Sequence, residues 1–523
     1  MARVLVTEKI APSGLDKLKA AGHEVDVREG LSPEELMSAI GGAHALIIRS
    51  ATKVTSELLL VAKDLVVVGR AGIGLDNVDV ESATSRGVMV VNAPQSNVLS
   101  AAEQAMGLLL AQARNIAQAH AALVSGKWER SKWEGVELHG KTLGIVGLGR
   151  VGALVAQRAM AFGMRIIAFD PYVSADRARH MGVEMCSLES LMTSADFVTI
   201  HLPKTSETVG LIDAELLAKS KPGIRIINTA RGGIVDEEAL AEAIADGRVG
   251  GAGIDVFAHE PTTESPLFSL DSVVVTPHLG ASTIEAQDKA GVTIAEQVIL
   301  ALAGDFVPYA VNVAATDVSE TVRPYMSLAE QLGKFFSQLH DSLPSCLEIE
   351  YVGEISGAGT GILTLSILKG LFASSTEEPV SYVNAPQIAQ QRGLQIREIS
   401  TVTSRDYKNL ITLRSSDHSL AGTLTGVGLR LDSRVVMVDD HLVEVPPSPH
   451  MLVVRNDDRP GVIGVVGVLL GEAGISISSM AVGPSPESGT ALMVLGTDEP
   501  VSDDVLGSLR GDVGIFDVHR VSL

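Results

Sequence analysis

The sequence predicts an α/β protein of several domains: two doubly wound lobes with parallel sheets, a mixed α+β segment, and a small βαββαβ unit at the end. Three observations predict it. Short continuous apolar runs alternate with helical stretches from Arg3 to about Thr276, as buried parallel strands and their crossovers do. A glycine-marked turn joins a strand to a helix at Gly147–Gly152. After Val313 the composition changes, and the last segment reads strand, helix, two strands, helix, strand. At 523 residues the chain is also too long for one hydrophobic core.

Taken in order, Arg3–Thr7 is a short strand, followed by a helix with Leu15 and Leu18 on one face, and His23–Val27 is the next strand. Ser32, Pro33 and Glu35 supply an N-cap, a first-turn proline and a capping-box acid for the following helix. Ala45–Ile48, Leu65–Val68 and Gly87–Asn92 complete a first doubly wound unit. Leu99–Ser125 reads as one long helical stretch bridging two lobes. The second βα series has strands at Thr142–Val146 and Arg165–Phe169 with a helix from Val151 between them. Ser282–Leu302 is long enough to cross back to the first lobe, although periodicity alone does not establish that return. An apolar helix around Tyr325, Leu328, Leu332, Phe335 and Phe336 leads into strands beginning at Leu347–Val352. Pro446–Pro449 is a linker. Beyond it come Met451–Arg455, Val462–Glu472, Ile475–Ala481, Thr490–Gly496, Ser502–Leu509 and Val513–Val521.

Composition sets limits on partners. The formal charge is −22, and such a surface repels phosphate backbones, so nucleic acid is not expected as a partner. A small anion is still compatible, because a few arginines can dominate one cleft. Cys186 and Cys346 are the only cysteines and match no metal-ligand spacing, which suggests reduced thiols and no bound metal. The first residues read as a strand rather than a signal peptide, and no apolar run is long enough to span a bilayer, so the expectation is a cytoplasmic protein without membrane attachment.

The strongest motif is Gly147-x-Gly149-x-x-Gly152, directly after an apolar strand and opening a helix. The first glycine permits the tight turn, the second lets backbone approach a pyrophosphate, and the third lets the helix pack on the sheet. The anion then lies at the positive helix terminus. Strand Ile166–Phe169 ends at Asp170, the distance expected for an acid that binds the adenosine ribose. An acid there repels a 2′-phosphate, so the cofactor predicted is NAD rather than NADP.

Three later strands end on groups suited to hydride transfer. Arg231 follows Ile226–Thr229, Asp255 ends Gly253–Asp255 with Glu260 close behind, and His278 follows Val273–Pro277. The carboxyl ends of strands are where open α/β sheets bind ligands. Oxidising a hydroxyl needs a base, and histidine has the most suitable pKa. Glu260 is the carboxylate that would orient it, and Arg231 the guanidinium that would grip a substrate carboxylate. Singly, each has a plain alternative: a surface ion pair, a solvated acid, a strand cap. Asp255 in particular also reads as a buried strand-end cap.

From Gly147 to His278 the chain resembles the D-isomer-specific 2-hydroxyacid dehydrogenases, whose arginine, glutamate and histidine fall on Arg231, Glu260 and His278. The resemblance implies that Arg150 and Val151 meet the pyrophosphate and Asp170 the ribose. It places Thr229, Ala230, Asp255, Gly280 and Ala281 at the nicotinamide end.

The first lobe narrows the substrate. Arg49-Ser50 and Arg70 stand at neighbouring strand ends and suit a doubly charged phosphate, while the amides of Gly72, Ile73 and Gly74 suit a carboxylate. Either arginine alone also reads as a surface ion pair, and Asn97 either contacts ligand or only caps a helix. The Asp458-Arg459-Pro460-Gly461 turn in its βαββαβ setting resembles an ACT regulatory domain, and Ser381–Pro386 with its surroundings resembles the intervening domain of the long-form phosphoglycerate dehydrogenases. Together these resemblances imply a Rossmann-type nucleotide-binding domain, a flavodoxin-like substrate domain, an α+β intervening domain and a ferredoxin-like ACT domain. The expected boundaries are 1–98 with 286–313 for substrate, 99–285 for NAD, 317–446 intervening and 450–523 ACT. The implied reaction is oxidation of 3-phosphoglycerate to 3-phosphooxypyruvate, opening the phosphorylated route to L-serine, in a homotetramer with L-serine as effector. One departure stands out: where serine-binding ACT domains often carry His or Tyr and then Asn, this chain has Asn456 and Ser476, with Asp458 retained. Trp128 and Trp133 fit either a subunit contact or local packing. Two other readings stay open here: a sibling dehydrogenase for glyoxylate, hydroxypyruvate or D-lactate, and an NAD-sensing scaffold without catalysis. A pure amino-acid-binding regulator leaves the glycine motif without a purpose.

Overall fold

The computed structural model describes residues 1–314, 318–339, 343–357, 359–373, 380–404, 406–427, 430–485 and 489–523. The first sheet contains β1 (Arg3–Val6), β2 (Glu24–Val27), β3 (Ala45–Ile48), β4 (Val67–Arg70) and β5 (Met89–Asn92). They pair in parallel in the order β2-β1-β3-β4-β5. The capping box at Ser32 forms as read, with both reciprocal hydrogen bonds to Glu35 in place.

The second sheet contains β6 (Thr142–Val146), β7 (Arg165–Phe169), β8 (Glu184–Met185), β9 (Phe197–Ile200), β10 (Ile224–Asn228), β11 (Val249–Ile254) and β12 (Val273–Val275). Its order is β12-β11-β10-β9-β6-β7-β8, all parallel, so the strand order reverses between β6 and β9. A crevice at such a reversal is where these sheets bind nucleotides.

The expected single helix over Leu99–Ser125 is corrected to two, Val98–Ala113 and Ile116–Val124. The break falls at Asn115, whose φ of 51° is left-handed, a conformation asparagine tolerates better than most residues. The Leu65–Val68 strand begins two residues late, at Val67, because Val67 is the residue that pairs with Ala45 of β3.

The helix Ile284–Ala303 packs on the first lobe, with Ile294 and Val298 against Gly69 of β4. The chain then runs along β5: Ala310 bridges Val91, and Asn312 takes the Val90 N–H at 2.9 Å while donating to the Val88 carbonyl at 2.9 Å.

The third sheet is mixed. It contains β13 (Cys346–Gly353), β14 (Gln395–Thr401), β15 (Asn409–Arg414), β16 (Ser419–Val427), β17 (Arg430–Val438) and β18 (His441–Val445), ordered β14-β13-β15-β16-β17-β18. Only β13 and β14 run parallel. The fourth sheet is antiparallel, with β19 (His450–Asn456), β20 (Ile477–Pro484), β21 (Ala491–Thr497) and β22 (Ile515–Ser522) in the order β20-β21-β19-β22. Its helices, Val462–Glu472 and Asp503–Arg510, complete the expected βαββαβ unit. One apolar core runs from Val4 and Ile47 of the first sheet through Phe335 and Leu368 to Met451.

Asn312 is therefore the polar clasp between the returning segment and β5. Replacing it by alanine leaves the Val90 N–H without its acceptor and is expected to cost about 1–3 kcal/mol. Hydrogen exchange at Val90 should quicken in Asn312→Ala while the second sheet is unaffected; unchanged exchange would show that the clasp is dispensable.

Candidate active site

The nucleotide crevice is built from the glycine turn upward. Gly147 has φ 98°, and a Cβ there would lie 2.8 Å from the His201 carbonyl, so the turn requires glycine. A Cβ on Gly152 would collide with the Gly147 carbonyl, which reflects the close packing of helix Arg150–Ala161 on its strand. Gly149 is the N-cap of that helix and has open space above it, with nothing within 4 Å of where its Cβ would fall. Arg150 is exposed on the first turn, with Val151 partly covered beside it. Asp170 accepts the Leu148 and Tyr172 N–H groups, each at 2.8 Å, which fixes its carboxylate at the end of β7. Thr229 is buried and its hydroxyl has no partner among the described residues, a polar atom left for a ligand. An open glycine cradle, a fixed acid and an orphaned hydroxyl fit a dinucleotide.

Arg231, Glu260 and His278 come together at the carboxyl edge of β10, β11 and β12. Asn228 clamps the loop after β10: its amide donates to the Arg231 carbonyl at 3.1 Å and its oxygen accepts from Ala230 at 3.1 Å. Gly232 lets that loop touch the next, since a Cβ there would overlap the Phe257 carbonyl. Glu260 accepts the Phe257 N–H at 2.8 Å through one oxygen and meets His278 Nδ1 at 2.6 Å through the other. An ionised carboxylate only accepts, so Nδ1 carries the proton and Nε2 is left as a base. Burial alone would raise the Glu260 carboxyl, but the bonds from His278 and Phe257 and the charges of His278 and Arg231 hold it below the ordinary range. By sign, the anion persists at every pH above that range and is lost only as acid titrates through the lowered value.

His278 itself has a left-handed φ of 54°, held by its N–H donating to the Asp255 carbonyl at 2.8 Å. Asp255 is fully buried. It accepts from Thr276 Oγ1 at 2.5 Å, Leu279 N at 2.7 Å and Gly280 N at 2.9 Å, with Gln104 at 3.5 Å. That geometry is the strand-end cap, and both oxygens are engaged. Ala281 lies just beyond, at the rim of the interlobe cleft.

The first lobe faces this edge. Arg231 meets Asp76 at 3.3 Å, and its guanidinium lies over Gly74, where a Cβ would collide with it. Burial, then the nearby Arg231 charge, lowers Arg70 to about 10, so it stays cationic at neutral pH, and its Nε has no partner among the described residues. Of the three amides read as a cradle, Gly72 is corrected: its N–H already donates to the Arg70 carbonyl at 2.8 Å. Ile73 and Gly74 make no such bond among the described residues. Arg49, Gly72 and Asn97 line one cleft between the lobes, with Ser50 exposed beside Arg49. Asn97 stands at the N-cap of helix Val98–Ala113 without making a side-chain cap bond, and its buried oxygen has no partner among the described residues.

No sequence motif singles out Asp76 beside Arg231, Gln104 beside Asp255, or Lys9 and Gln287, which line the interlobe cleft. Lys9 was within reach of the strand-end rule that selected the others; Gln104 and Gln287 sit on helices and carried no motif.

The tail residues do not converge within one chain. Asn456 pairs with Ala491 at one end of β19, whereas Ser476 precedes Ile477, whose partner Thr497 pairs with His450 at the other end. Six residues of strand put these ends about 20 Å apart. Asp458, with φ 53°, donates its N–H to Asn456 Oδ1 at 3.0 Å, and Asn456 Nδ2 is buried without a partner among the described residues.

Comparison with known proteins bears on this site directly. The chain is 46% identical to the D-3-phosphoglycerate dehydrogenase of Mycobacterium tuberculosis over 527 aligned residues, covering 99% of both chains. It is 40% identical to that of Methanocaldococcus jannaschii over the full length of each. The chain belongs to the D-3-phosphoglycerate dehydrogenase family. Family models agree along its length: the D-isomer specific 2-hydroxyacid dehydrogenase NAD binding domain matches residues 106–280, the D-3-phosphoglycerate dehydrogenase intervening domain 321–439, and the ACT domain 450–513. Among solved structures, the TT0316 protein of Thermus thermophilus superposes with a TM-score of 0.56 at 37% identity, covering 59% of this chain and 99% of that one. The apo D-lactate dehydrogenase of Escherichia coli superposes with a TM-score of 0.54 at 26% identity, covering 60% and 100%. As in this family, the cofactor is NAD. No helix among the described residues is long and apolar enough to cross a membrane.

Glu260→Gln keeps the shape but removes the anion that orients His278. It is expected to lower kcat/KM by about 10²-fold while NAD affinity, measured by titration, holds. A variant with unchanged turnover would remove Glu260 from the chemistry.

Proposed function

We propose that this chain oxidises 3-phospho-D-glycerate to 3-phosphooxypyruvate with NAD, the first step of the phosphorylated route to L-serine. The observation that carries the reading is the 2.6 Å His278–Glu260 pair, whose carboxylate feels the charge of Arg231, while Arg231 lies near enough to lower Arg70. Arg231, with the Ile73 and Gly74 amides, binds the substrate carboxylate and orients the neighbouring hydroxyl. His278 Nε2 takes the hydroxyl proton, and Glu260 stabilises the imidazolium that results. NAD, when bound, supplies the hydride acceptor. Gly147, Gly149, Arg150, Val151 and Gly152 hold its pyrophosphate, Asp170 its ribose, and Thr229, Ala230, Gly280 and Ala281 its nicotinamide end. Asp255 acts there by fixing Gly280. Arg49, Ser50, Arg70, Gly72 and Asn97 belong to the phosphate side.

The working units in this reading are 1–98 with 286–313 for substrate, 99–285 for NAD, 317–446 intervening and 450–523 regulatory. The enzyme works as a cytoplasmic homotetramer, with the 82%-exposed Trp128 as a subunit anchor. L-serine acts at the ACT unit. Because Ser476 lies at the far end of β19 from Asn456 and Asp458, an effector pocket using all three takes Ser476 from a second copy.

NAD reduction with 3-phosphoglycerate, driven by product removal, tests the reading. Arg49→Ala is expected to cut kcat/KM for 3-phosphoglycerate by about 10- to 100-fold, and added L-serine to slow the parent enzyme. Equal rates for parent and variant would contradict the phosphate role of Arg49; no serine-dependent heat or rate change would remove the effector.

A further inference from the structure

Three adjacent strands of the first sheet end on a cation. β1, β3 and β4 lie side by side, and Lys9, Arg49 and Arg70 stand at or just beyond their carboxyl ends. None of the three forms an ion pair with any described residue. In a chain of net charge −22, three cations at one sheet edge, none in direct contact with a carboxylate among the described residues, are an arrangement that an anion completes.

The neighbouring acid is already spent. Glu8 accepts the Arg49, Ala51 and Thr52 N–H groups at 2.8, 3.2 and 2.9 Å, so it ties down the β3 loop. Lys9 is held in place on both sides. Thr7 donates its N–H to the Ile47 carbonyl at 3.1 Å, and Ile10 is buried against the helix Ile284–Ala303, touching Gly291. Only the exposed lysine stem is left to move, and it lines the cleft shared with Arg49, Gly72 and Asn97. Arg70 folds back over Gly72 on the side nearer Arg231. The cations thus run from Arg231, at the reacting end, through Arg70 and Arg49 to Lys9.

We propose that Lys9 is a specificity-determining residue whose ammonium grips the substrate's terminal phosphate together with Arg49. This rests on the reading of the site as one for phosphorylated 2-hydroxy acids. A lysine presents a compact point charge with rotatable donors, which suits a phosphate already oriented by an arginine fork. The cleft therefore selects a dianionic phosphate over an unphosphorylated chain of the same length, while the reacting end stays indifferent to Lys9.

The experiment compares parent, Lys9→Ala and Lys9→Arg with 3-phosphoglycerate as the oxidised substrate and hydroxypyruvate as the reduced one. Lys9→Ala is expected to raise KM for 3-phosphoglycerate about tenfold with kcat little moved. KM for hydroxypyruvate should change less than about twofold, and Lys9→Arg should recover most of the loss. Inhibition by inorganic phosphate should weaken in parallel. Equal shifts on both substrates, or no shift on either while the parent oxidises 3-phosphoglycerate, would overturn the role of Lys9. A parent that reduces hydroxypyruvate but never oxidises 3-phosphoglycerate would instead overturn the functional reading, and this inference with it.

Discussion

A buried carboxylate organises the reacting edge. Asp255 is withdrawn from solvent at the end of β11, and an ion in that position is tolerable only when donors surround it. The donors are the Thr276 hydroxyl and the Leu279 and Gly280 N–H groups, with Gln104 reaching in from the helix Val98–Ala113. Satisfying one acid thereby joins two strand ends and a helix. The segment on either side of His278 is pinned, and the imidazole is turned toward Glu260 through a left-handed backbone conformation uncommon outside glycine. The Gly280 end and the His278 end of this segment are set by the same group.

The second constraint is the approach of the two lobes. Arg231 leaves the NAD-binding lobe and lies over Gly74 of the other, beside Asp76. The placement of Arg231 over Gly74 therefore depends on interlobe distance as much as on local geometry, and the returning helix Ile284–Ala303 ties that distance to the chain's path. The cleft is lined by Lys9, Arg49 and Asn97 from one lobe and by Ala281 from the other.

Much of this was legible in the residues. Strand ends carried the signal, because parallel strands deliver whatever follows them to one edge; Arg231, Glu260 and His278 were readable for that reason, as was the glycine turn with Asp170. What escaped reading had physical causes. Asn115 breaks a helix whose apolar pattern continues through it, and periodicity carries no information about one left-handed residue. Gly72 was read as a free amide, yet its N–H closes on Arg70. Ser476 and Asn456 belong to one small domain, but strand register separates them by the length of β19. Gln104 and Asp76 act only through tertiary contacts that leave no local trace.

The central claim is that His278 takes the proton of a substrate hydroxyl beside bound NAD. The most direct measurement is single-turnover NADH formation from 3-phosphoglycerate in the parent and in His278→Ala, with NAD binding measured on both. The account requires NADH in the parent, a rate lower by about 10²- to 10⁴-fold in the variant, and matching NAD affinities. Comparable rates in the two proteins would contradict it.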